Sequence, residues 1–305
     1  MIAAAARSQL EVALGQRVRF DEPLSRHTSL RVGGPADALA TPADREELAA
    51  ALGICARYGI DHALLGAGFN ALVVDAGYAG VVIRLNRWRA IDERPDGGLC
   101  AEAGVSHSQI TNFCVDHGLT GLEFSCGIPG SVGGWIAMNA GIPHHEMADV
   151  VRSVEVMDAR GEGIRQLPAS ELRFAYRSAP GLAPGAAVLS ALFAVSPATP
   201  ERVRAEVDRL LAKRGCTQPL DVPTCGSVFV NPDGDHAGRL IEAAGLKGRR
   251  IGGAEISTVH ANFIAIRGNA TARDILALIE EAQREVFEQT GVRLVPEVRI
   301  LGRAA

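Results

Sequence analysis

Lysine is nearly absent: of 31 basic residues only Lys213 and Lys247 are lysines, and the remainder are arginines. Set against 35 acidic residues they leave a net charge of −4. The basic surplus that usually announces a nucleic-acid binder is therefore missing. No uninterrupted apolar run approaches the roughly 18 residues a membrane span requires. The opening residues 1–6 meet Arg7 too soon for a secretory apolar core, with Ser8, Gln9 and Glu11 close behind. There is no C-x-x-C pair among the six cysteines (Cys55, Cys100, Cys114, Cys126, Cys216, Cys225), and a chain of 305 residues needs no disulfide framework. A reduced cytoplasmic protein with its cysteines acting as small hydrophobes is the expectation. Low-complexity tracts and internal repeats are lacking too, and 47% hydrophobic against 22% charged residues excludes extensive disorder.

Local patterns fill in the elements. Residues 42–58 read as a helix with Thr41 as N-cap, Pro42 at the first helical position and Gly59 as the stop. Short strands are expected at 63–65, 72–74 and 81–85, a second helix at 106–117, and a hairpin whose first strand is 151–158. Residues 188–195 form another strand candidate, and 200–214 a helix with Val203, Val207, Leu210 and Leu211 on one stripe. The strongest helix is 271–289, where Ile275, Leu278, Ile279, Ala282 and Val286 recur at helical spacing before Gly291. A final strand is expected over 292–300, alternating Val292, Leu294, Pro296, Val298 and Ile300 on one face. Irregular insertions between strands favour an α+β fold over a doubly wound one.

Two glycine-rich loops carry the chemistry. Gly66-Ala67-Gly68-Phe69-Asn70-Ala71 has the letters of a dinucleotide fingerprint, but the residues after it read as strand and turn. Without a helix to receive a pyrophosphate, any phosphate there would be held by backbone N–H groups in a nest; a structural tight turn is the alternative. The second loop runs Gly127-Ile128-Pro129-Gly130-Ser131-Val132-Gly133-Gly134-Trp135 and on to Asn139 and Gly141. Glycines at that density suit close approach of backbone to an anion or flavin edge, or a buried crossing of packed elements. Pro129 excludes a G-x-S-x-G elbow, and His144-His145-Glu146 lacks metal-ligand spacing, so no metal is expected.

The chain resembles the UDP-N-acetylenolpyruvoylglucosamine reductases, flavoenzymes of peptidoglycan precursor synthesis. The resemblance rests on residues 23–37 (PLSRHTSLRVGGPAD), the 66–70 loop, 127–141, Tyr176-Arg177-Ser178, 226–232 (GSVFVNP), 240–248 (LIEAAGLKG), 252–257 (GGAEIS), 260–263 (HANF) and 297–302 (EVRILG), in family order from about residue 20 onward. It implies a flavin domain of the vanillyl-alcohol-oxidase (PCMH) type at 20–197, with subdomains at about 20–85 and 86–197. A smaller α+β substrate domain at 198–305 would follow, its last strand, about 292–302, returning to the active site. Non-covalent FAD would lie on Gly66–Asn70 and on Gly127–Gly134, Asn139 and Gly141. NADPH is the implied hydride donor, and the enolpyruvyl sugar nucleotide the substrate of an expected monomer. By the same resemblance Arg177, Ser227 and Glu297 are catalytic, and Tyr176, Asn231, His260 and Asn262 bind substrate.

Taken alone, Glu297 reads as a carboxylate on a wet strand face, Ser227 as a turn hydroxyl and Arg177 as a surface ion-pair partner. A diverged FAD-dependent paralogue and a non-catalytic FAD-binding protein also remain open. Phe69 stands where the family commonly has Ser, Val230 where it has Lys or Arg, and Ile266 where it has Asn. Residues 142–145 replace a small glycine-containing turn, and the short 141–151 interval implies the subgroup without an extra substrate-covering loop.

Overall fold

A computed structural model describes residues 2–302. The chain divides into two compact units. The first takes the N-terminal residues through Asp21, then Asp37–Ala67 and Gly80–Lys213; the second takes Glu22–Ala36, Gly68–Ala79 and the residues from Arg214 onward.

The first unit carries a five-stranded sheet in the order Ile164–Pro168, Val151–Met157, Ala187–Ala194, Gly98–Glu102, Ile91–Glu93, antiparallel throughout. The expected hairpin is its first pair, with Val154 opposite Leu167 and both buried. Helix His107–Asp116 starts at Ser106, whose hydroxyl accepts from the Gln109 N–H in a capping box. A third core lies under helix Ala4–Leu14, which the sequence reading did not anticipate; Ala6, Leu10 and Leu14 at four-residue intervals are fully buried. The next helix begins later than expected. It spans Arg45–Tyr58, because the Asp44 carboxylate, rather than the Thr41 hydroxyl, caps it by accepting from Glu47 N–H at 2.9 Å. Gly59 closes it with φ 61°. In helix Pro200–Thr217, Val203 and Val207 are buried as expected, but Leu211 stays 41% exposed.

The second unit is organised on helix Ala272–Thr290. Thr271 and Asp274 form a capping box, and the Asp75 carboxylate accepts from the Ala272 and Arg273 N–H groups at 2.9 and 3.0 Å. All five apolar residues of the anticipated stripe are buried, in one cluster with Leu30, Val32, Leu72, Val228, Phe229, Ile256 and Ile264. Ile275, Leu278, Ile279 and Val286 each contribute on the order of 1.5–3 kcal/mol for a full burial, and Ala282 less. The long terminal strand is not formed: only Arg299–Leu301 is regular, pairing in parallel with Ala71–Val73. Upstream, Pro296 has no N–H to give a ladder, and it meets Phe229 in an isolated bridge instead. Leu294 and Val298 keep the expected inward face, whereas Ile300 is 45% exposed.

Candidate active site

Within the first unit the two glycine segments meet. A side chain at Gly66 would bring its Cβ to 2.9 Å from Ser131 Oγ and 3.8 Å from Gly134 Cα. The Gly66 carbonyl accepts from Arg84 Nε at 3.3 Å. Gly130–Gly133 is strung along residues 103–107: Val132 N–H donates to Val105 O at 3.0 Å, Gly133 N–H to Ala103 O at 2.9 Å, and Gly130 O accepts from His107 at 3.3 Å. Those N–H groups therefore serve the fold rather than a ligand. Unexpectedly, Val132–Ala137 is a short helix despite two internal glycines. Burial of Val132, Trp135 and Ile136 outweighs the roughly 1 kcal/mol each glycine costs, and a Cβ at Gly133 would come within 3.1 Å of Ala103 Cβ, a tight approach. Trp135 Nε1 donates to the Ile128 carbonyl at 3.2 Å and so holds the turn that leads through Pro129.

Asn139 is fully buried at φ 41°, and both ends of its amide are taken by backbone. Its Nδ2 donates to Ala175 O at 3.1 Å and its Oδ1 accepts from Ala148 N–H at 2.9 Å. This expected cofactor residue thus anchors the next element. Ala175 and Ser178 exchange two backbone bonds of 3.0 Å, which puts Tyr176 and Arg177 at the tip of a two-residue turn. Arg177 sits at φ 56°, a left-handed conformation uncommon for a non-glycine residue. Its Nη2 donates to Gly141 O at 3.0 Å, and its guanidinium lies 4.9 Å from the Tyr176 ring centroid.

In the second unit Gly68, at φ 76°, packs on His27 and Thr28 so closely that a Cβ would lie 2.2 Å from His27 O. Ser29 N–H donates to the Gly68 carbonyl at 3.0 Å. Two residues on, Asn70 Nδ2 donates to the Glu297 carbonyl at 3.1 Å, and Asn70 O accepts from Arg299 N–H at 3.1 Å. Glu297 N–H in turn donates to Val228 O at 2.7 Å, so Glu297 and Ser227 lie on bonded neighbouring segments although 70 positions apart. Ser227 is half-buried and bridges to Phe263. Asn262, 3% exposed, grips the Phe229 backbone from both sides: Oδ1 accepts from its N–H at 2.9 Å and Nδ2 donates to its carbonyl at 2.8 Å. Phe69 and Val230 are half-buried, and Val230 N–H donates to Val295 O at 3.0 Å. Asn231 Oδ1 accepts from Ala237 N–H at 3.0 Å at the start of a helix. His260 Nδ1 accepts from Asn262 N–H at 3.2 Å, and burial together with Lys247 pulls its pKa below the ordinary histidine value.

The structure thus joins Ser227 with Glu297, and Gly66 with Ser131, while Arg177 belongs to the first unit. Asn139 and Asn262 spend both ends of their amides on backbone, and Asn231 its Oδ1. Two groups escaped the sequence reading. One is Arg84, a single arginine after a strand, which carries no motif. The other is Thr28, 7% exposed, whose Oγ1 has no hydrogen-bond partner. An orphaned buried hydroxyl against Gly68, and a turn at Gly68 that admits no side chain, fit a phosphate-bearing cofactor. No three His, Cys, Asp or Glu side chains gather among the described residues.

Residues 36–166 match the family model described as FAD binding domain. Fold and match together define the class: an α+β protein with an FAD-binding domain followed by a smaller C-terminal part. That part, residues 218–301, matches the model of the UDP-N-acetylenolpyruvoylglucosamine reductase C-terminal domain. The reductase of Geotalea uraniireducens is 41% identical over 296 residues, covering 97% of this chain and 98% of its own. That of Geobacter metallireducens is 43% identical over 295 residues, covering 97% of each. The crystal structure of the Thermus caldophilus UDP-N-acetylenolpyruvylglucosamine reductase superposes with a TM-score of 0.80 at 34% identity, over 93% of this chain and 98% of that one. The chain belongs to the UDP-N-acetylenolpyruvoylglucosamine reductase family.

Proposed function

We propose that this chain reduces the enolpyruvyl group of UDP-N-acetylglucosamine enolpyruvate to the lactyl ether, with FAD bound non-covalently and NADPH as reductant. The observation that carries the reading is a near end-to-end family match; the roles given to Arg177, Ser227 and Glu297 rest on the motifs named in the sequence. The bound flavin supplies hydride transfer from NADPH to the vinyl carbon of the substrate. Every other task falls to the chain. Arg177, whose turn is fixed by Asn139, faces the substrate carboxylate with a planar fork suited to the negative charge that develops there. Ser227 gives the proton to the neighbouring carbon, on a segment that Asn262 holds still. Glu297 acts at the substrate carboxylate, its backbone fixed by Asn70 and Val228. Tyr176, Asn231 and His260 line the substrate, and Gly66–Asn70 with the second glycine segment holds the cofactor.

Residues 20–197 are assigned to the flavin domain and 198–305 to the substrate domain; the two matched models fall inside these bounds. Residues 303–305 lie outside the described residues. No described helix is long and apolar enough to cross a membrane. Cytoplasmic location and a monomeric state are part of the proposal.

The test is a visible spectrum of the purified protein, then NADPH titration with and without the enolpyruvyl sugar nucleotide. Flavin bands that bleach with NADPH and return only with that substrate, with the lactyl ether as product, are expected. A flavin that bleaches but returns only with a different acceptor overturns the substrate; a bound flavin that ignores NADPH overturns the enzymatic reading.

A further inference from the structure

Two neighbouring hydroxyls in the second unit meet different fates. Ser29 Oγ donates to the Thr224 carbonyl at 2.6 Å, while Ser29 N–H donates to the Gly68 carbonyl at 3.0 Å. Both groups are spent on the fold. Thr28, the residue before it, is 7% exposed, and its Oγ1 has no hydrogen-bond partner. Nearly all buried polar groups are bonded, so an orphan of this kind points to something that binds there. Thr28 lies directly against the glycine loop: a Cβ on Gly68 would stand 2.8 Å from Thr28 Cα. The loop repeats the imbalance. The N–H groups of Gly68 and Phe69 donate to no protein acceptor among the described residues, and Gly68 is itself buried. Nor do the loop's side chains supply a free donor, since Phe69 is apolar and Asn70 Nδ2 is committed to the Glu297 carbonyl. Donors without acceptors thus collect around Gly68, all inside the second unit. A ligand rich in acceptor oxygens meets that need, and successive backbone N–H groups suit a phosphate.

We propose that Thr28 is a further cofactor-binding residue, its hydroxyl donating to a phosphate oxygen of the dinucleotide received at Gly68. The inference rests on the flavin reading above. A phosphate oxygen is charged and accepts only, so the bond is of the charge-assisted kind, stronger than one to a neutral carbonyl. Close packing of Gly68 on His27 and Thr28 holds the two segments together before the cofactor arrives, so little ordering remains to be done on binding. The alternative role is local: the Thr28 methyl group fills space and its hydroxyl meets only water.

Flavin-stripped full-length protein is titrated with FAD by fluorescence, comparing the parent with Thr28→Val. Thermal unfolding of each apo-protein and the phosphorus NMR spectrum of the bound FAD are recorded alongside. Valine keeps the shape and removes the hydroxyl, so the apo-variant is expected to melt at or above the parent's temperature, an unsatisfied buried group having been lost. FAD should bind about ten- to hundredfold more weakly, the scale of a lost bond to a charged group, and a diphosphate resonance should move. Parent-like affinity in Thr28→Val overturns the proposal. So does weaker binding with an unmoved phosphorus spectrum, which places the effect away from the phosphates. An apo-variant that melts lower than the parent also overturns it, because the hydroxyl then serves the fold. If Thr28→Val does not fold, Thr28→Ser and Thr28→Ala decide: they differ by the hydroxyl alone, and equal FAD affinity in the two denies it a role. A parent protein that takes up no FAD overturns the flavin reading and this proposal together, an outcome distinct from a variant that binds like its parent.

Discussion

In the proposed reaction Ser227 separates the two halves. Reduction of the flavin by NADPH needs no proton at a substrate carbon, so Ser227→Ala is expected to leave it nearly intact. Reoxidation by the enolpyruvyl substrate should slow by about 10²-fold or more, the scale of losing a positioned proton donor. Stopped-flow absorbance follows each half; parent-rate reoxidation would move the proton to another group. That Ser227 and Glu297 share a place was illegible in the sequence, since their link runs through the backbone of Val228 and leaves no periodic trace. Their candidacy came from family motifs alone. Four of the six cysteines were easier, because isolated thiols in apolar runs are usually interior: Cys55, Cys114, Cys126 and Cys225 are buried, whereas Cys100 is half-buried and Cys216, in a polar stretch, is exposed. Burial pushes Cys55, Cys114 and Cys225 up to about 12 from 9.0, and Glu297 adds to the effect at Cys225. Above about pH 9 the unfolded chain releases these protons while the folded chain retains them. Their contribution is complete below that pH and disappears as the pH climbs toward 12. Urea midpoints should therefore fall steeply above about pH 9, and less steeply in Cys225→Ala. A midpoint indifferent to that substitution across the alkaline range would refute the linkage.

Elements with local signals were the readable ones. Helix Ala272–Thr290 declares itself through cap, stripe and terminal glycine, all within its own residues. The hairpin of Val151–Met157 and Ile164–Pro168 likewise needs only alternation and a turn. Helix Ala4–Leu14 was hidden because its alanines blur the contrast between faces, and Val132–Ala137 because its glycines oppose the conformation that packing imposes. What the sequence could not reveal about the long helix is its second cap. Asp75, from a distant segment, takes two of its first N–H groups. Asp75→Ala should lower stability by about 2–3 kcal/mol, as two bonds to a carboxylate are lost, and Thr271→Ala by about 1 kcal/mol. Chemical denaturation measures both. An Asp75→Ala change smaller than that of Thr271→Ala would show that water replaces the remote carboxylate at no loss.

The C-terminal family region is shorter than the body that folds around it. Leu30, Val32 and Leu72 belong to the same hydrophobic cluster as the helix Ala272–Thr290, yet they come from Glu22–Ala36 and Gly68–Ala79. A fragment starting at Arg214 lacks these side chains, the partner strand of Arg299–Leu301 and the carboxylate of Asp75. It is expected to be molten or insoluble, with poorly dispersed amide resonances, while the full chain gives a cooperative transition. A sharp, well-dispersed spectrum from the fragment would show that the C-terminal sequence carries a self-sufficient core.

The parallel pairing of Ala71–Val73 with Arg299–Leu301, with Asn70 bonded to Glu297 across 227 positions, also sets an order of events during synthesis. At roughly 5–20 residues per second, about 10–45 s separate the emergence of the first strand from that of its partner. Through that interval an apolar strand edge waits on the ribosome with its N–H and C=O groups unclaimed, a template for any neighbouring nascent chain. Growth of this protein is thus a period of exposure to aggregation, and the emergence of Arg299–Leu301 is what ends it for this edge.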